Sequence, residues 1–153
     1  MMVLIVRGLI VIWATGCLVA THSRIARWGS EPALWADAAA HAPNKPRPWI
    51  NLGRQYALSG DARAAEAAYR RGMAAADTPG RAPDERIFGY GIGAANVALL
   101  RCQDGDREGA VAVTSAALLR KPTATSLHEF HLWLTDSQPV SGRLACSPPV
   151  SSF

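Results

Sequence analysis

The chain has 153 residues, a formal net charge of +4 and an apolar fraction of 49%, of which little is aromatic. A chain of this size suits one compact domain and excludes a large substrate cleft. Its basic excess is modest and scattered, without the basic stripe and stacking aromatics of a nucleic-acid binder, so we expect no nucleic-acid partner. Alanine runs favour helices and strand-forming residues are scarce beyond the first twenty positions, so the composition predicts an all-α fold.

The N-terminal segment, residues 1–22, is apolar apart from Arg7. About twenty helical residues rise about 30 Å, which matches the hydrocarbon layer of a bilayer. Arg7 lies within two turns of the end of the segment and can snorkel towards the interface. The pattern predicts an uncleaved single-pass membrane anchor over residues 1–22, followed by a juxtamembrane linker over residues 23–30.

Two other interpretations of this segment stay open. A cleaved signal peptide would use Arg7 as its basic region, although Leu18 stands where cleavage needs a small residue. A lipoprotein would be cleaved before Cys17, although the apolar run in front of it is short. The basic residues on the two sides of the segment nearly balance, and Arg24 and Arg27 tilt the prediction slightly towards a cytoplasmic C-terminus.

Helix signals follow from Ser30 onwards. Ser30 can cap a helix over residues 31–41. After the break APNKPRP a second helix is predicted over residues 48–59, and Gly60 separates it from a third over residues 62–75. The turn between the second and third helices is so tight that they must return antiparallel, which predicts a helical hairpin.

A second hairpin is predicted after the loop DTPGRAP. Its first helix is assigned to residues 85–101, but the glycines of GYGIGA each weaken a helix by roughly 1 kcal/mol, so we expect the helix to start nearer Gly93. GYGIGA is not a dinucleotide-binding loop, because no strand precedes it. Gly105 and Asp106 repeat the glycine-aspartate turn of the first hairpin, and the closing helix covers residues 107–120.

The end of the sequence adds one predicted helix and a tail. Residues 123–136 can form an amphipathic helix that caps the stack of hairpins. His128, Glu129 and His131 in this helix lack the one-turn histidine spacing of a zinc helix, so we expect no metal site. Residues 137–153 are rich in proline and serine, which predicts a disordered tail.

The three cysteines are too few and too widely spaced for a disulfide framework or a zinc site. Cys17 lies in the apolar segment. Cys102 and Cys146 could pair in an oxidising compartment, but we favour two separate thiols.

The helical pattern repeats within the chain. Trp35 and Tyr69 are 34 residues apart, as are Ala38 and Gly72, and this period is typical of the tetratricopeptide repeat. The stretch WINLGRQYALSGDARAAEAAY resembles that repeat, and its signature positions are occupied by Trp49, Leu52, Gly53, Tyr56, Gly60, Ala65 and Tyr69. The resemblance implies a short α-solenoid over residues 31–122.

The second hairpin matches the same repeat less well. Its matching residues are Gly105, Ala110, Ala117 and Pro122. The positions of the larger signature residues of the first helix are held instead by Ala94, Val97, Ala98 and Arg101. The offset from Gly60 to Gly105 is 45 residues, so the connection in front of this hairpin is longer than standard.

The junction RWGSEPALWADAAAHAPNKPRPWINLG has a narrower resemblance, carried by Trp28, Glu31, Leu34 and Trp35. It resembles the junction in bacterial polytopic glycosyltransferases and O-antigen-ligase-like proteins, where a last membrane helix leads into a tetratricopeptide tail. This resemblance implies a soluble domain in the periplasm or outside the cell, whereas the basic residues that flank the apolar segment slightly favour a cytoplasmic C-terminus. The many membrane helices that would perform the transfer are not in the sequence, so no enzymatic activity is carried over.

The tetratricopeptide resemblance also implies a concave groove lined by the first helix of each hairpin. Arg47, Asn51 and Arg54 of one hairpin and Asn96 of the next are the candidate peptide-binding residues. A carboxamide matches the donor and acceptor of a peptide bond, and the arginines match acidic side chains or a terminal carboxylate. Alternatively, the asparagines are ordinary solvated helix residues. The same groove is expected to include Ile50, Ala95 and Leu99.

No catalytic constellation stands out. Asp84 and Asp104 sit where cap or turn residues belong, and no triad or paired carboxylates share a plausible cleft, so we expect neither an enzyme nor a cofactor. The first hypothesis is a membrane-anchored adaptor or scaffold that binds a peptide or protein, a polytopic membrane protein among the candidates. The alternative is an accessory or split-off tail of a membrane glycan-transfer or polymerisation system. The sequence does not fix the oligomeric state.

Overall fold

The computed structural model describes residues 2–27, 29–120 and 125–136. Each regular element in these residues is helical, which confirms the all-α prediction. The elements are α1 (Met2–Arg27), α2 (Glu31–His41), α3 (Pro46–Leu58), α4 (Ala62–Ala76), α5 (Pro83–Ile87), a π-helical segment (Phe88–Ile92), α6 (Gly93–Gln103), α7 (Arg107–Arg120) and α8 (Thr125–Asp136). Neighbouring helices pack as adjacent pairs, and α4 also packs on α6. The predicted tail, residues 137–153, lies outside the described residues.

The helix bounds follow the capping signals closely. Helices α2 and α7 have the predicted bounds. The Oγ atom of Ser30 accepts a hydrogen bond from the amide of Ala33 (3.4 Å), and Oδ1 of Asp61 accepts one from Ala64 (2.9 Å). Each side chain thereby satisfies an amide in the first turn of its helix. Helix α3 starts at Pro46, two residues earlier than predicted, because this proline also suits a first turn.

The two hairpins turn in the same way. Gly60 and Gly105 have φ angles of +81° and +88°, which L residues with a side chain rarely adopt. The amide of Asp61 donates to the carbonyl of Tyr56 (2.9 Å), and the amide of Asp106 donates to that of Arg101 (2.8 Å). The hydrogen bonds of the first turn therefore recur 45 residues later, so the chain builds one supersecondary unit twice.

The first hairpin closes around the ring of Tyr69, which is 2% exposed. A Cβ atom on Gly53 would lie 2.7 Å from the Cδ1 atom of this ring, so the glycine leaves the space that the ring occupies. Gly72 plays the same part for Ile50, whose Cδ1 would lie 2.7 Å from an added Cβ. These two glycines let α3 and α4 approach closely enough to bury both side chains.

Helix α6 begins at Gly93, where the sequence places the helix start, but the GYGIGA glycines do not keep the preceding residues out of a helical conformation. The helical backbone already begins at Pro83 and continues through the π-helical segment into α6. Added Cβ atoms would lie 2.8 Å from Cβ of Pro46 at Gly89 and 2.6 Å from Cγ of Met73 at Gly93. The intrinsic cost of the glycines is offset because they form the face that packs on α3 and α4.

Helix α8 forms where the last amphipathic helix was predicted. Its residues Leu127, Phe130 and Leu134 are each at most 1% exposed and belong to the same cluster as buried residues of α6 and α7. The ring of Phe130 also stacks on Trp133 at a centroid distance of 5.8 Å. Helix α8 thus buries apolar surface of the second hairpin.

Helix α1 continues to Arg27, into the segment predicted as a linker. All side chains of residues 6–22 are exposed, and Ile12 and Trp13 are exposed by 71% and 73%. Among the described residues, no helix combines the length and apolarity needed to cross a membrane. The anchor over residues 1–22 stays a prediction.

Candidate functional site

A stripe of side chains runs along the outer surface of α3, and we call Arg47, Asn51, Arg54 and Leu58 the α3 stripe. Their spacing places them on one face of the helix. Arg47 and Arg54 are exposed, Asn51 is half-buried, and Leu58 is 72% exposed. Three of the predicted binding residues therefore share an accessible face.

Two residues expected in the same groove are buried instead. Ile50 is 3% exposed and Ala95 is 4% exposed. Ile50 packs towards Gly72 and Gly93, between α4 and α6, and Ala95 belongs to the core of the second hairpin. The expectation that these two residues line a groove is wrong, because the close packing of α3, α4 and α6 takes them into the core.

The second hairpin presents a different surface at the equivalent positions. Forty-five residues after Arg47, Asn51 and Arg54 come Ile92, Asn96 and Leu99. All three are half-buried. The Nδ2 atom of Asn96 donates a hydrogen bond to the carbonyl of Ile92 (2.8 Å) within its own helix. This contact favours the interpretation of Asn96 as an ordinary helix residue, with one amide donor already used.

A cavity of about 350 Å³ lies at the start of α3, where α5 passes it. We call it the N-terminal cavity. Its lining consists of Lys45, Pro46, Arg47, Pro48, Asp84, Glu85 and Phe88. Arg47 is the member that it shares with the α3 stripe, and its guanidinium carbon lies 4.9 Å from the centroid of the Phe88 ring. This distance is within the range of a cation–π contact.

Glu85 is held in place by two cations. Its Oε1 lies 3.0 Å from Nζ of Lys45, and its Oε2 lies 3.0 Å from Nη1 of Arg81. Arg81 also donates to the carbonyl of Asn44. The hydrogen bonds from Lys45 and Arg81 lower the pKa of Glu85. The cavity therefore has a fixed carboxylate on one wall, whereas Asp84 beside it is exposed.

Sequence reasoning missed Lys45 and Phe88 as site residues. The sequence predicts a helix break at APNKPRP, and Phe88 falls in the part of the predicted helix 85–101 that precedes the start expected near Gly93. The prolines around Lys45 gave a usable signal, because proline at a first helical position places the preceding residue at a helix entrance. Phe88 had no comparable signal, since its place beside Arg47 depends on the packing of α5 against α3.

The positive charge of Arg54 acts on the pKa of Tyr69, a buried residue of the first hairpin. Burial raises the pKa of Tyr69 to about 12, and the positive charge of Arg54 works in the opposite direction. Trp49 is fixed near the start of α3, because its Nε1 donates to the carbonyl of Pro43 (2.8 Å) and its ring lies 5.0 Å from the guanidinium carbon of Arg71. The α3 stripe thus lies on a helix whose beginning is fixed.

The remaining candidates of the sequence have other roles. Within the described residues, no group of three or more His, Cys, Asp or Glu side chains is arranged to hold a metal ion. The Nδ1 atom of His131 lies 2.7 Å from Oγ1 of Thr114, which joins α8 to α7. Cys102 is disulfide-bonded and Cys17 is free, so the expectation of a separate thiol at Cys102 is wrong.

The chain matches no protein-family model, and comparison with curated proteins and with solved structures also gives no match.

Proposed function

We propose that the protein is a membrane-attached adaptor that binds an extended acidic peptide along the α3 stripe. The carrying observation is that Arg47, Asn51 and Arg54 are accessible on one face, beside a cavity that shares Arg47. Two guanidinium groups favour carboxylates, and the carboxamide between them can donate to and accept from a peptide backbone. No catalytic step is needed for this role.

The spacing of the arginines selects the form of the peptide. Arg47 and Arg54 are separated by about 10.5 Å along the helix at 1.5 Å per residue. In a polyproline-type helix, residues three apart face the same side and are about 9.3 Å apart. A segment with two acidic residues separated by two others therefore fits the stripe, with its neighbouring side chain placed over the N-terminal cavity.

The apolar surface of α1 supports the membrane part of the proposal. The largely apolar side chains of residues 6–22 are exposed, and an exposed surface of this kind is costly in water. The disulfide at Cys102 supports an oxidising compartment for the soluble domain, outside the cytoplasm.

The binding test uses the full chain in nonionic detergent and a fluorescent peptide containing Asp-x-x-Asp in a proline-rich context. Fluorescence anisotropy is expected to show saturable binding that weakens with salt. The variant Arg47→Gln/Arg54→Gln should bind about tenfold more weakly or worse, because it removes two charge-assisted contacts. Asn96→Ala is the matched control and should bind like the wild type.

Two results would contradict the proposal. One is equal affinity for a peptide with Asn-x-x-Asn in place of the acids. The other is equal weakening by the double arginine variant and by Asn96→Ala. Membrane attachment is tested separately: the chain is expected to stay in the membrane pellet after carbonate extraction, and release into the supernatant would contradict it.

A further inference from the structure

A second cavity of about 350 Å³ lies between α4 and α7 and shares no lining residue with the N-terminal cavity. We call it the arginine cleft, because three of its lining residues are arginines from three helices: Arg70, Arg101 and Arg120. Of the described side chains that line it, none is a carboxylate. The other lining residues are Met73, Tyr90, Gly109, Ala112, Val113, Ala116 and Ala117.

The arginines are held in position by acids that lie outside the lining. Oε1 of Glu66 accepts hydrogen bonds from Arg70 (Nη2, 2.7 Å) and from Arg101 (Nη2, 3.1 Å). Burial works to raise the pKa of Glu66, but the hydrogen bonds from Arg70 and Arg101 outweigh it, and the pKa is lowered. Glu66 therefore stays ionised at neutral pH and fixes two of the three guanidinium groups.

The third guanidinium is fixed in the same manner. Nη1 of Arg120 lies 2.6 Å from Oδ2 of Asp77 and donates to the hydroxyl of Tyr90 (2.7 Å), which itself donates to Asp77 (3.1 Å). A guanidinium has five N–H donors, and these contacts use Nη1 alone. Donors of Arg120 thus remain for a ligand, and the rotamer cost of binding is reduced because the side chain is already ordered.

The floor of the cleft is apolar and made of small side chains. Ala112 and Ala116 lie one turn apart on α7, with Val113 and Ala117 beside them and Met73 of α4 opposite. The volume corresponds to about a dozen water molecules at about 30 Å³ each, which suffices for an oxyanion and about six carbons. A polar ligand without an apolar part would leave the apolar side chains of the floor in contact with water. A hydrocarbon alone would form no hydrogen bond with the guanidinium groups.

We infer that the arginine cleft binds a small amphiphilic oxyanion, a carboxylate or phosphate monoester carried on a short aliphatic chain. The inference is independent of peptide binding on the α3 stripe. Because Glu66, Asp77 and Asp106 equal the three arginines in number and pair with them, the arginines carry no net excess of charge, and the dissociation constant of a six-carbon ligand is expected on the order of 0.1–1 mM.

The test measures binding to the full chain in nonionic detergent by saturation-transfer NMR and calorimetry. Hexanoate and hexyl phosphate are expected to bind, whereas hexanol and inorganic phosphate are expected to bind at least about tenfold more weakly. A fatty acid and a lipid phosphate are distinguished by which of the first two probes binds more tightly. Equal binding of hexanol, or of inorganic phosphate, would overturn the inference.

Four variants locate the ligand. Arg70→Gln removes a guanidinium, and Ala116→Phe fills the cleft from an exposed position while keeping its charge. Each should weaken hexanoate binding about tenfold or more. Arg63→Gln and Ala67→Phe make the same changes on the exposed surface of α4, outside the cleft, and should bind like the wild type. Unchanged binding in both cleft variants, with folding verified by circular dichroism, would overturn the inference. Arg54→Gln should leave hexanoate binding intact even if it abolishes peptide binding.

Discussion

The contact of the π-helical segment with α4 gives the sharpest test of the packing. A Cβ atom added at Gly89 would lie well under 3.0 Å from Cβ of Ala76 and 2.8 Å from Cβ of Pro46. Both neighbours are attached directly to backbone, so neither can rotate away. Gly89→Ala is therefore expected to destabilise the fold, although alanine is the better helix former.

The magnitude follows from two opposing terms. Exchange of glycine for alanine inside a helix stabilises by about 1 kcal/mol. Overpacking of a close contact costs about 1–3 kcal/mol, and a distance this far below the normal limit belongs in the upper half of that range. The net expectation for Gly89→Ala is a loss of about 1–2 kcal/mol of unfolding free energy. For a domain of this size that corresponds to a fall in Tm of roughly 5–15 °C.

The assay is a double-mutant cycle of Gly89→Ala and Ala76→Gly, in which each unfolding free energy is measured by urea unfolding with circular dichroism as the readout. Ala76→Gly alone should cost about 1–2 kcal/mol, because it deletes a fully buried methyl group and places glycine in the last turn of α4. In the double variant the methyl group moves from α4 to the π-helical segment, so the two losses should not add. Additivity within about 0.5 kcal/mol would show that the two backbones are not this close, as would a Gly89→Ala variant that is neutral or more stable.

Three further outcomes are expected in urea unfolding. Gly60→Ala and Gly105→Ala should each lower the unfolding free energy by about 1–2 kcal/mol, and the two losses should be nearly equal, because both glycines have positive φ in turns of the same kind. Clearly unequal losses would contradict the equivalence of the two turns. The unfolding free energy of the wild type should fall between pH 10 and 12, because the pKa of Tyr69 is near 10 in the unfolded chain and about 12 in the folded one. Tyr69→Phe should remove as much as about 3 kcal/mol of that fall. An identical fall in the variant would refute the assignment to Tyr69. Arg101→Gln should lower the unfolding free energy by about 0.5–1 kcal/mol in low salt and by less in high salt, since it removes the ion pair to Glu66 that joins the two hairpins. A loss of stability that does not depend on salt would argue against this ion pair.

The first hairpin could be predicted because its signals are local. The glycine and aspartate of each turn act within four residues, and the apolar positions of α3 and α4 follow the helical period. The positions of α2, α4 and α7 consequently agree with the prediction to within a residue. Arg47 and Arg54 share an exposed face, which the helical period alone predicts.

The features that escaped prediction depend on contacts between distant residues. The GYGIGA glycines weaken a helix in isolation, and only the approach of Pro46 and Ala76 shows why they are needed. Arg101 looked like a departure from the repeat at the position of Tyr56, yet its guanidinium pairs with Glu66, 35 residues earlier. Ile50 looked like a groove residue because the helical period does not show how closely a third helix packs.

The departure from a regular repeat also explains where the candidate site lies. The offset between the two turns is 45 residues, compared with the 34-residue period between Trp35 and Tyr69. Most of the additional residues lengthen a helix and not a loop, because α5, the π-helical segment and α6 together make one helical run of 21 residues, whereas α3 has 13. This longer run places Asp84, Glu85 and Phe88 beside the first turn of α3, where they form one wall of the N-terminal cavity. A regular 34-residue repeat would leave that end of α3 open. The cavity is therefore a product of the inserted residues, and shortening the run should remove it while leaving the two turns intact.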